Sequence, residues 1–513
     1  MFKKYLQKPD FVIINTKFGR VRGKKIQLRS KTVFSFSNIP YAQPPIGGLR
    51  WKPPIKWYQQ YEGVRDGATP NPLSITTNIF SSLYEDKIYS EKDKPYMKKP
   101  IKFIKKTFKK LASTTPMSED CLYCNIITPT LERKNRPVVI WFSGNHFHDS
   151  QESPINHNLP YNDCLFVTFG YRQGIFGFFQ HDELENETKH STSGNYGIMD
   201  QIALLKFIKD NIYSYGGDPT NITVWGQGSG ANSIMYHIFN PVCKNLFHRA
   251  IMHSYSNIYD IYSSKKQLGT RIGDSLVGQG INQVLRLRHV PANKLNNAYT
   301  QYLYRNGSLN LKNCFMPHED GVTIFNRCTP NRIPIIMGIH NQDSYFLYKM
   351  GFHQIFQSPL IRMDISGNDI VSIKEEYNVL TDFKSHSVRN RYLEDLLFKY
   401  PLLDFMNNYG LRVYPYVINF RMTNVVSYYE SEMKYLHHTR NYKNIPYYRI
   451  IRIFKNFLLS FIKFGDPNRI NKGNAMIEST GNVLNVNNTS IFYKKVDISP
   501  KILQIFHKYF KYN

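Results

Sequence analysis

The sequence is short of acid. Against 66 Lys and Arg stand 38 Asp and Glu, a formal net charge of +28 at pH 7, which surrounds the molecule with a positive field and draws it towards anionic surfaces. Nucleic acid is not an expected partner: no basic helix lies inside a recognisable DNA- or RNA-binding motif, and the excess of Lys, Asn, Ile and Tyr reads as compositional bias. Long apolar runs are also missing. None reaches the roughly 18 uninterrupted residues of a membrane span, although 42% hydrophobic and 15% aromatic residues allow a substantial core. The start of the chain holds only the four-residue apolar run Phe11–Ile14, short of the ~7–15 of a secretory signal, so an export signal is expected to be absent or already removed. Cysteine is sparse, six in 513 residues, and Cys121-Leu-Tyr-Cys124 lacks a second pair at metal-ligand spacing. Neither a metal site nor a cofactor is expected.

What is present is organised around Ile222–Ala231, ITVWGQGSGA. The β-branched and aromatic run Ile222–Trp225 reads as a strand, three glycines within five positions as a sharp turn, and Ala231–Met235 as the start of a helix. A strand-turn-helix of this kind is the nucleophile elbow G-x-S-x-G, where a strained turn lifts a serine above a sheet. Here Gly226 and Gly230 are the flanking glycines and the middle position is Gly228. Ser229 lies one place late, and one residue along a helix rotates a side chain by about 100°. Ser229 is therefore expected in the first helical turn, satisfying backbone.

Ordered motifs surround this stretch. Phe36-Ser-Asn-Ile-Pro-Tyr-Ala-Gln-Pro-Pro45 and Gly48-Leu-Arg-Trp-Lys-Pro-Pro54 come first, read as short strands with a proline-fixed loop. Ser118-Glu-Asp-Cys-Leu-Tyr123 precedes a strand and Arg136–Trp141 reads as a buried one. Tyr171-Arg172, Gly194-Asn-Tyr-Gly-Ile-Met-Asp-Gln201, Gly216-Gly-Asp-Pro219, Asp320-Gly321 and Phe464-Gly-Asp-Pro-Asn468 follow. In this order they resemble the type-B carboxylesterases and cholinesterases. The resemblance covers almost the whole chain and implies a single α/β-hydrolase domain over 1–513, with a large, mixed, mostly parallel sheet flanked by helices. It also implies a secreted or cell-surface protein. The sequons at Asn186, Asn221, Asn306, Asn487 and Asn488 add little to that, since Asn221 is expected to begin the buried elbow strand.

The resemblance assigns roles position by position. An esterase of this kind needs a nucleophile, a base, an acid that orients the base, and backbone donors for the oxyanion. Gly228 stands at the nucleophile position and has no hydroxyl. Asp343, followed by Ser344, stands at the acid position; a solvated or capping aspartate is the competing reading. Aligning the family glutamate of H-x-x-E with Glu432 puts Tyr429 where the base belongs, and the neighbouring His437 and His438 read as surface residues. The oxyanion loop H-G-G-G-F reads Ser143-Gly144-Asn145-His146-Phe147, so only Gly144 survives and the side chains of Asn145 and His146 are expected to project into the former pocket. His146 is a tempting new base. Cys121 has no cysteine upstream, so the loop that precedes this motif in the family cannot close, and Cys121 is expected to be a free thiol. Trp51, Trp57, Trp141 and Trp225 are the four tryptophans. None falls where a cholinesterase holds its quaternary ammonium, so choline esters are poor candidates.

A Lys-rich insertion at about 85–113 interrupts the pattern. Lys98, Lys99, Lys102, Lys105, Lys106, Lys109 and Lys110 lie without an acid among them. Ile101, Ile104, Phe108 and Leu111 recur at helical spacing after Pro100. The expected element is a basic amphipathic helix, either bound to an anionic surface or packed on the domain with its lysines solvated. The favoured reading of the whole is a catalytically inactive member of the family, like neuroligin, glutactin or neurotactin, whose partner is an extracellular protein or an anionic glycan or membrane surface. The alternatives are a divergent carboxylic-ester hydrolase using Ser229 or an unrecognised base, and a small-molecule carrier using the former gorge.

Overall fold

The computed structural model describes residues 10–28, 31–76, 116–132, 135–144, 146–148, 158–256, 264–305, 308–309, 313–325, 328–341, 343–344, 366–377, 391–419, 448–469, 482–487, 491–496 and 498–510. Its centre is one sheet of thirteen strands. The strands are β1 (Phe11–Thr16), β2 (Gly19–Leu28), β3 (Lys31–Pro40), β4 (Val64–Asp66), β5 (Tyr123–Thr128), β6 (Arg136–Phe142) and β7 (Leu165–Phe169). They continue with β8 (Gly217–Gln227), β9 (Arg249–His253), β10 (Ile335–His340), β11 (Val413–Asn419), β12 (Asn482–Asn487) and β13 (Ile491–Lys495). In space they run β1-β2-β3-β5-β7-β6-β8-β9-β10-β11-β12-β13, with β4 beside β2. From β7 to β12 every neighbouring pair is parallel, and the antiparallel pairs lie towards the two edges.

The central strands are apolar on both faces, as a sheet covered by helices requires. Val138, Ile140, Phe142, Ile222, Val224, Ala250 and Met252 face the larger core, shared with helices α1 (Tyr196–Asn211) and α2 (Ser229–Phe239). Helices α3 (Lys266–Val277), α4 (Gln283–Arg288), α5 (Ala292–Leu303) and α6 (Tyr400–Asn408) also contribute to it. Val139, Trp141, Trp225, Ile251, Ile336, Tyr414 and Tyr416 face the other way, against Phe454, Phe457 and Phe461 of α7 (Tyr448–Phe464). Trp141 and Trp225, paired across β6 and β8, meet edge to face with ring centroids 5.8 Å apart. All eleven residues of α2 are buried.

The motifs that carried the resemblance turn out to be the joints of this fold. Arg172 and Asp200 form a fully buried ion pair: Nη2 and Nε reach the two carboxylate oxygens at 2.7 and 2.8 Å, and the Arg172 backbone N–H donates to the same group. Arg50 clamps Glu119 with two hydrogen bonds of 2.7 and 2.6 Å and donates to the carbonyls of Leu287 and Val290. Asp320 accepts three successive backbone N–H groups, from Val322, Thr323 and Ile324. Asn195, at φ 56°, donates to its other oxygen.

Three expectations meet the structure here. The elbow strand begins at Gly217, ahead of Asn221, because the chain joins β6 first at the Gly217–Arg136 pair and rejoins it at Ile222 after a register shift. Cys121 and Cys124 are both free and fully buried. The seven lysines between Lys98 and Lys110 lie outside the described residues.

Candidate functional site

The elbow stands at the carboxyl ends of β8, β9 and β10. Its three glycines answer two different needs. A Cβ on Gly226 would lie 2.6 Å from the backbone of Gly230, and one on Gly230 would lie 2.1 Å from the Phe142 carbonyl oxygen. Both exclusions are by backbone, which has little room to move, so helix α2 approaches strands β8 and β6 only through glycine. Gly228 turns the chain, with φ 54° and ψ −121°, a backbone that side-chain-bearing residues adopt only with strain. Its N–H donates to the His253 carbonyl at 3.0 Å, and its carbonyl accepts the Asn232 N–H as α2 begins.

Ser229 is the first residue of α2, as its place in the turn predicts. The expected backbone contact is absent: Ser229 is buried, and its hydroxyl has no hydrogen-bond partner among the described residues. The carbonyl of Ser229 accepts the Ser233 hydroxyl at 3.1 Å, and Gly228 caps the helix without a side chain.

At the acid position the solvated reading of Asp343 is corrected. The residue is fully buried; Oδ2 accepts the His340 N–H at 2.9 Å, and Oδ1 lies 3.2 Å from His340 Nδ1. The Ser254 hydroxyl also approaches His340 Nδ1, at 3.5 Å. A triad's relay passes the proton between two different ring nitrogens, whereas both of these contacts fall on Nδ1. His253 stands beside this group, its Nδ1 hydrogen-bonded to the Tyr416 hydroxyl and its ring against Trp225. Burial and then the neighbouring His340 hold its pKa down to about 3.

A second carboxyl completes the cluster. Glu394, buried just ahead of α6, accepts the Ser344 N–H at 2.8 Å. Burial first, and then the charge of Asp343, push its pKa up to about 8. The sign follows from linkage. Between the ordinary value of 4.5 and about 8 the folded chain keeps a proton that the unfolded chain releases, so this group's contribution to stability falls as pH rises through that window. Glu394→Gln should flatten the loss. Thermal melts at pH 6 and pH 9 are expected to show a smaller drop for the variant than for the parent; equal drops would mean that Glu394 is not the titrating group.

The oxyanion loop is rebuilt. His146 and Phe147 both take left-handed backbone, φ 57° and 62°, in a loop the family builds from glycine. Both side chains are buried. Phe147 packs edge to face on Phe178, and its carbonyl accepts the Gly174 N–H. His148, which the sequence reading passed over, ties the loop to α5. The Phe315 N–H donates to the Tyr299 hydroxyl at 2.8 Å and Tyr299 lies 2.6 Å from His148 Nε2. The hydroxyl therefore donates to Nε2, which leaves Nδ1–H to donate to the His146 carbonyl at 2.9 Å. Burial lowers His148 to about 4; burial and then His148 lower His146 to about 3. An imidazole this weakly basic is a poor acceptor for a hydroxyl proton. Asn145, Tyr429, Glu432, His437 and His438 lie outside the described residues, and Gly144 keeps its place after β6.

A shallow cleft lined by Arg50, Ser74, Glu119, Cys121, Arg172 and Gln173 contains none of the elbow residues. Its charged groups are paired, Arg50 with Glu119 and Arg172 with Asp200.

A parallel sheet whose carboxyl edge carries a strand, a positive-φ turn and a buried helix defines an α/β-hydrolase. The chain belongs to the carboxylesterase family, whose family model matches residues 10–499. It is 35% identical over 248 residues to acylcarnitine hydrolase of Mus musculus, covering 47% of this chain and 40% of that protein. It is 30% identical over 360 residues to carboxylesterase 5A of Felis catus, covering 67% of this chain and 61% of that protein. The matches thus span about half the length of these relatives. The carboxylesterase EST55 of Geobacillus stearothermophilus shares the fold, with TM-score 0.71 at 23% identity over 94% of this chain and 97% of that one. Among the described residues no helix is long and apolar enough to cross a membrane, and no group of three His, Cys, Asp or Glu could hold a metal ion.

Proposed function

We propose that this carboxylesterase-family protein does not hydrolyse esters and acts through its surface, on an extracellular protein or an anionic glycan or membrane. The observation that carries the reading is Gly228 at the apex of the elbow. Gly226 and Gly230 are held in place by backbone contacts, so the register cannot slide to bring Ser229 to the apex. The +28 charge supports a surface role. The lysines from Lys98 to Lys110 are the proposed contact, and neutralising them should weaken heparin retention. A secreted or cell-surface location accompanies this reading.

A divergent ester hydrolase is the second reading. It is favoured by the hydroxyl of Ser229, which has no hydrogen-bond partner among the described residues, and by relatives named acylcarnitine hydrolase and carboxylesterase 5A. Kinetics with p-nitrophenyl acetate separate the two: no saturable turnover by the parent supports the first, and saturable turnover lost in Ser229→Ala supports the second. Gly228→Ser is expected to remain inactive. A serine at the apex still needs a base, and with Tyr429 at the base position the proton has a phenol titrating near pH 10 as its acceptor. General-base help is worth ~10²–10⁴-fold and each oxyanion donor ~10²–10³. Restoring the hydroxyl repairs one deficit of three. Saturable hydrolysis by Gly228→Ser would show that a working base exists.

A further inference from the structure

Two of the sequons lie where the asparagine and its surroundings are both described, and they stand in opposite environments. Asn221 is half-buried near the foot of β8. Its amide donates to the Lys463 carbonyl at 3.4 Å, and its Oδ1 accepts Nη1 of Arg249. The Asn221 carboxamide thus bridges the last turn of α7 and the first residue of β9, and a sugar on its nitrogen would break that bridge. Thr223, the third residue of this sequon, is fully buried.

Asn186 is the exposed last residue of a short helix, Asp182–Asn186. Its side chain makes no hydrogen bond among the described residues. The backbone that presents it is pinned on both sides. Lys266 holds Asp182 and Glu185 at 3.1 and 3.0 Å, and Arg288 holds Glu187 at 2.6 Å. Glu183 accepts the N–H groups of Gln283 and Val284 at the start of α4. The Asn186 carboxamide therefore stands in solvent on a fixed stretch of chain.

Thr188, the third residue of the Asn186 sequon, says when a sugar would have to arrive. Its hydroxyl lies 3.2 and 3.0 Å from the carbonyls of Glu185 and Thr192 and accepts the Thr192 N–H at 2.9 Å. Recognition of the sequon needs that hydroxyl, so transfer precedes closure of this turn, and the closed turn must then leave the asparagine nitrogen clear. At Asn186 it does.

We propose that Asn186 carries an N-linked oligosaccharide and that Asn221 does not. The proposal rests on the secreted or cell-surface location given above, because the donor, a lipid-pyrophosphate-linked oligosaccharide, is met in the secretory pathway. The Asn186 carboxamide nitrogen bonds to C1 of the sugar as the C1–oxygen bond to pyrophosphate breaks; one amide proton and the lipid pyrophosphate leave. The product is a bulky, solubilising group at a surface position, which the exposed end of the short helix accommodates and the foot of β8 does not.

The test is peptide mapping of the native protein, purified from its source, after digestion with a peptide:N-glycosidase in heavy-oxygen water. Each glycosylated asparagine is then read as a heavy aspartate. Asn186 should carry the label and Asn221 should not. An unlabelled Asn186 in protein recovered from outside the cytosol overturns the site while the location stands. Recovery from the cytosol alone overturns the location and the site with it, and a labelled Asn221 overturns the selection by burial. Asn186→Gln, secreted from cultured animal cells, should migrate faster than the parent by one glycan and melt with the enzymatically deglycosylated parent. A variant of unchanged mobility would again overturn the site.

Discussion

Gly230→Ala is expected to be among the most damaging single-methyl additions in the protein. The new Cβ would sit 2.1 Å from the Phe142 carbonyl oxygen and 2.9 Å from its carbon. Neither is the far end of a side chain that could swing away; both belong to the last residue of β6. Relief requires α2 to lift off the sheet, and α2 is buried on all sides. Overpacking a core typically costs ~1–3 kcal/mol and occasionally more. A clash with backbone belongs at or above the top of that range, a large share of the roughly 5–15 kcal/mol that holds a domain together. Gly48→Ala is the control, since a Cβ there meets nothing within 4 Å, and it should stay within about 0.5 kcal/mol of the parent. Thermal melts of the two variants check this. A Gly230→Ala protein that melts like Gly48→Ala would mean that α2 does not seat against β6 as described.

Asp200→Asn is the second large effect. Arg172 is buried with its carboxylate partner, and Nη1 donates to the Lys52 carbonyl at 2.8 Å. The amide keeps the shape of the side chain but removes the negative charge and replaces one acceptor oxygen by a donor. The guanidinium is then left charged in a dry site. Removing one partner of such a pair costs ~3–5 kcal/mol, whereas replacing both by apolar groups of similar volume is often neutral. The double variant Arg172→Met/Asp200→Leu should therefore be more stable than Asp200→Asn. Denaturant titration of both checks the order, and the reverse order would mean that the site is wet.

What was legible in the sequence was local. The spacing of Gly226, Gly228 and Gly230 identified the elbow, because the steric demands that produce it act within five residues. Ser229 was placed in the helix for the same reason. Asp343 is identified by the resemblance to the family pattern that follows Gly338, but its surroundings are not, because they are long-range. Glu394 meets Ser344 across 50 residues and Tyr299 meets His148 across 151. One partner could have been found: His340 lies three residues before Asp343, a spacing at which a carboxylate folds back onto a backbone N–H. The ion pairs Arg172–Asp200 and Arg50–Glu119 lay inside motifs that were read, yet nothing in either motif names its mate.

The rebuilt oxyanion loop shows a different limit. Replacing glycines by Asn145 and His146 suggested side chains standing in a vacated pocket. His146 is instead buried in left-handed backbone, while His148 and Tyr299 anchor the turn from outside it. Both follow from tertiary contacts that a local pattern does not contain.

The central claim is that the elbow carries no nucleophile, and intact-mass measurement of the purified parent after exposure to a fluorophosphonate tests it most directly. The reagent phosphonylates an activated serine once and leaves unactivated hydroxyls alone. The account predicts no stoichiometric adduct. A single adduct per chain mapping to Ser229 would contradict it and make the protein a hydrolase with a displaced nucleophile.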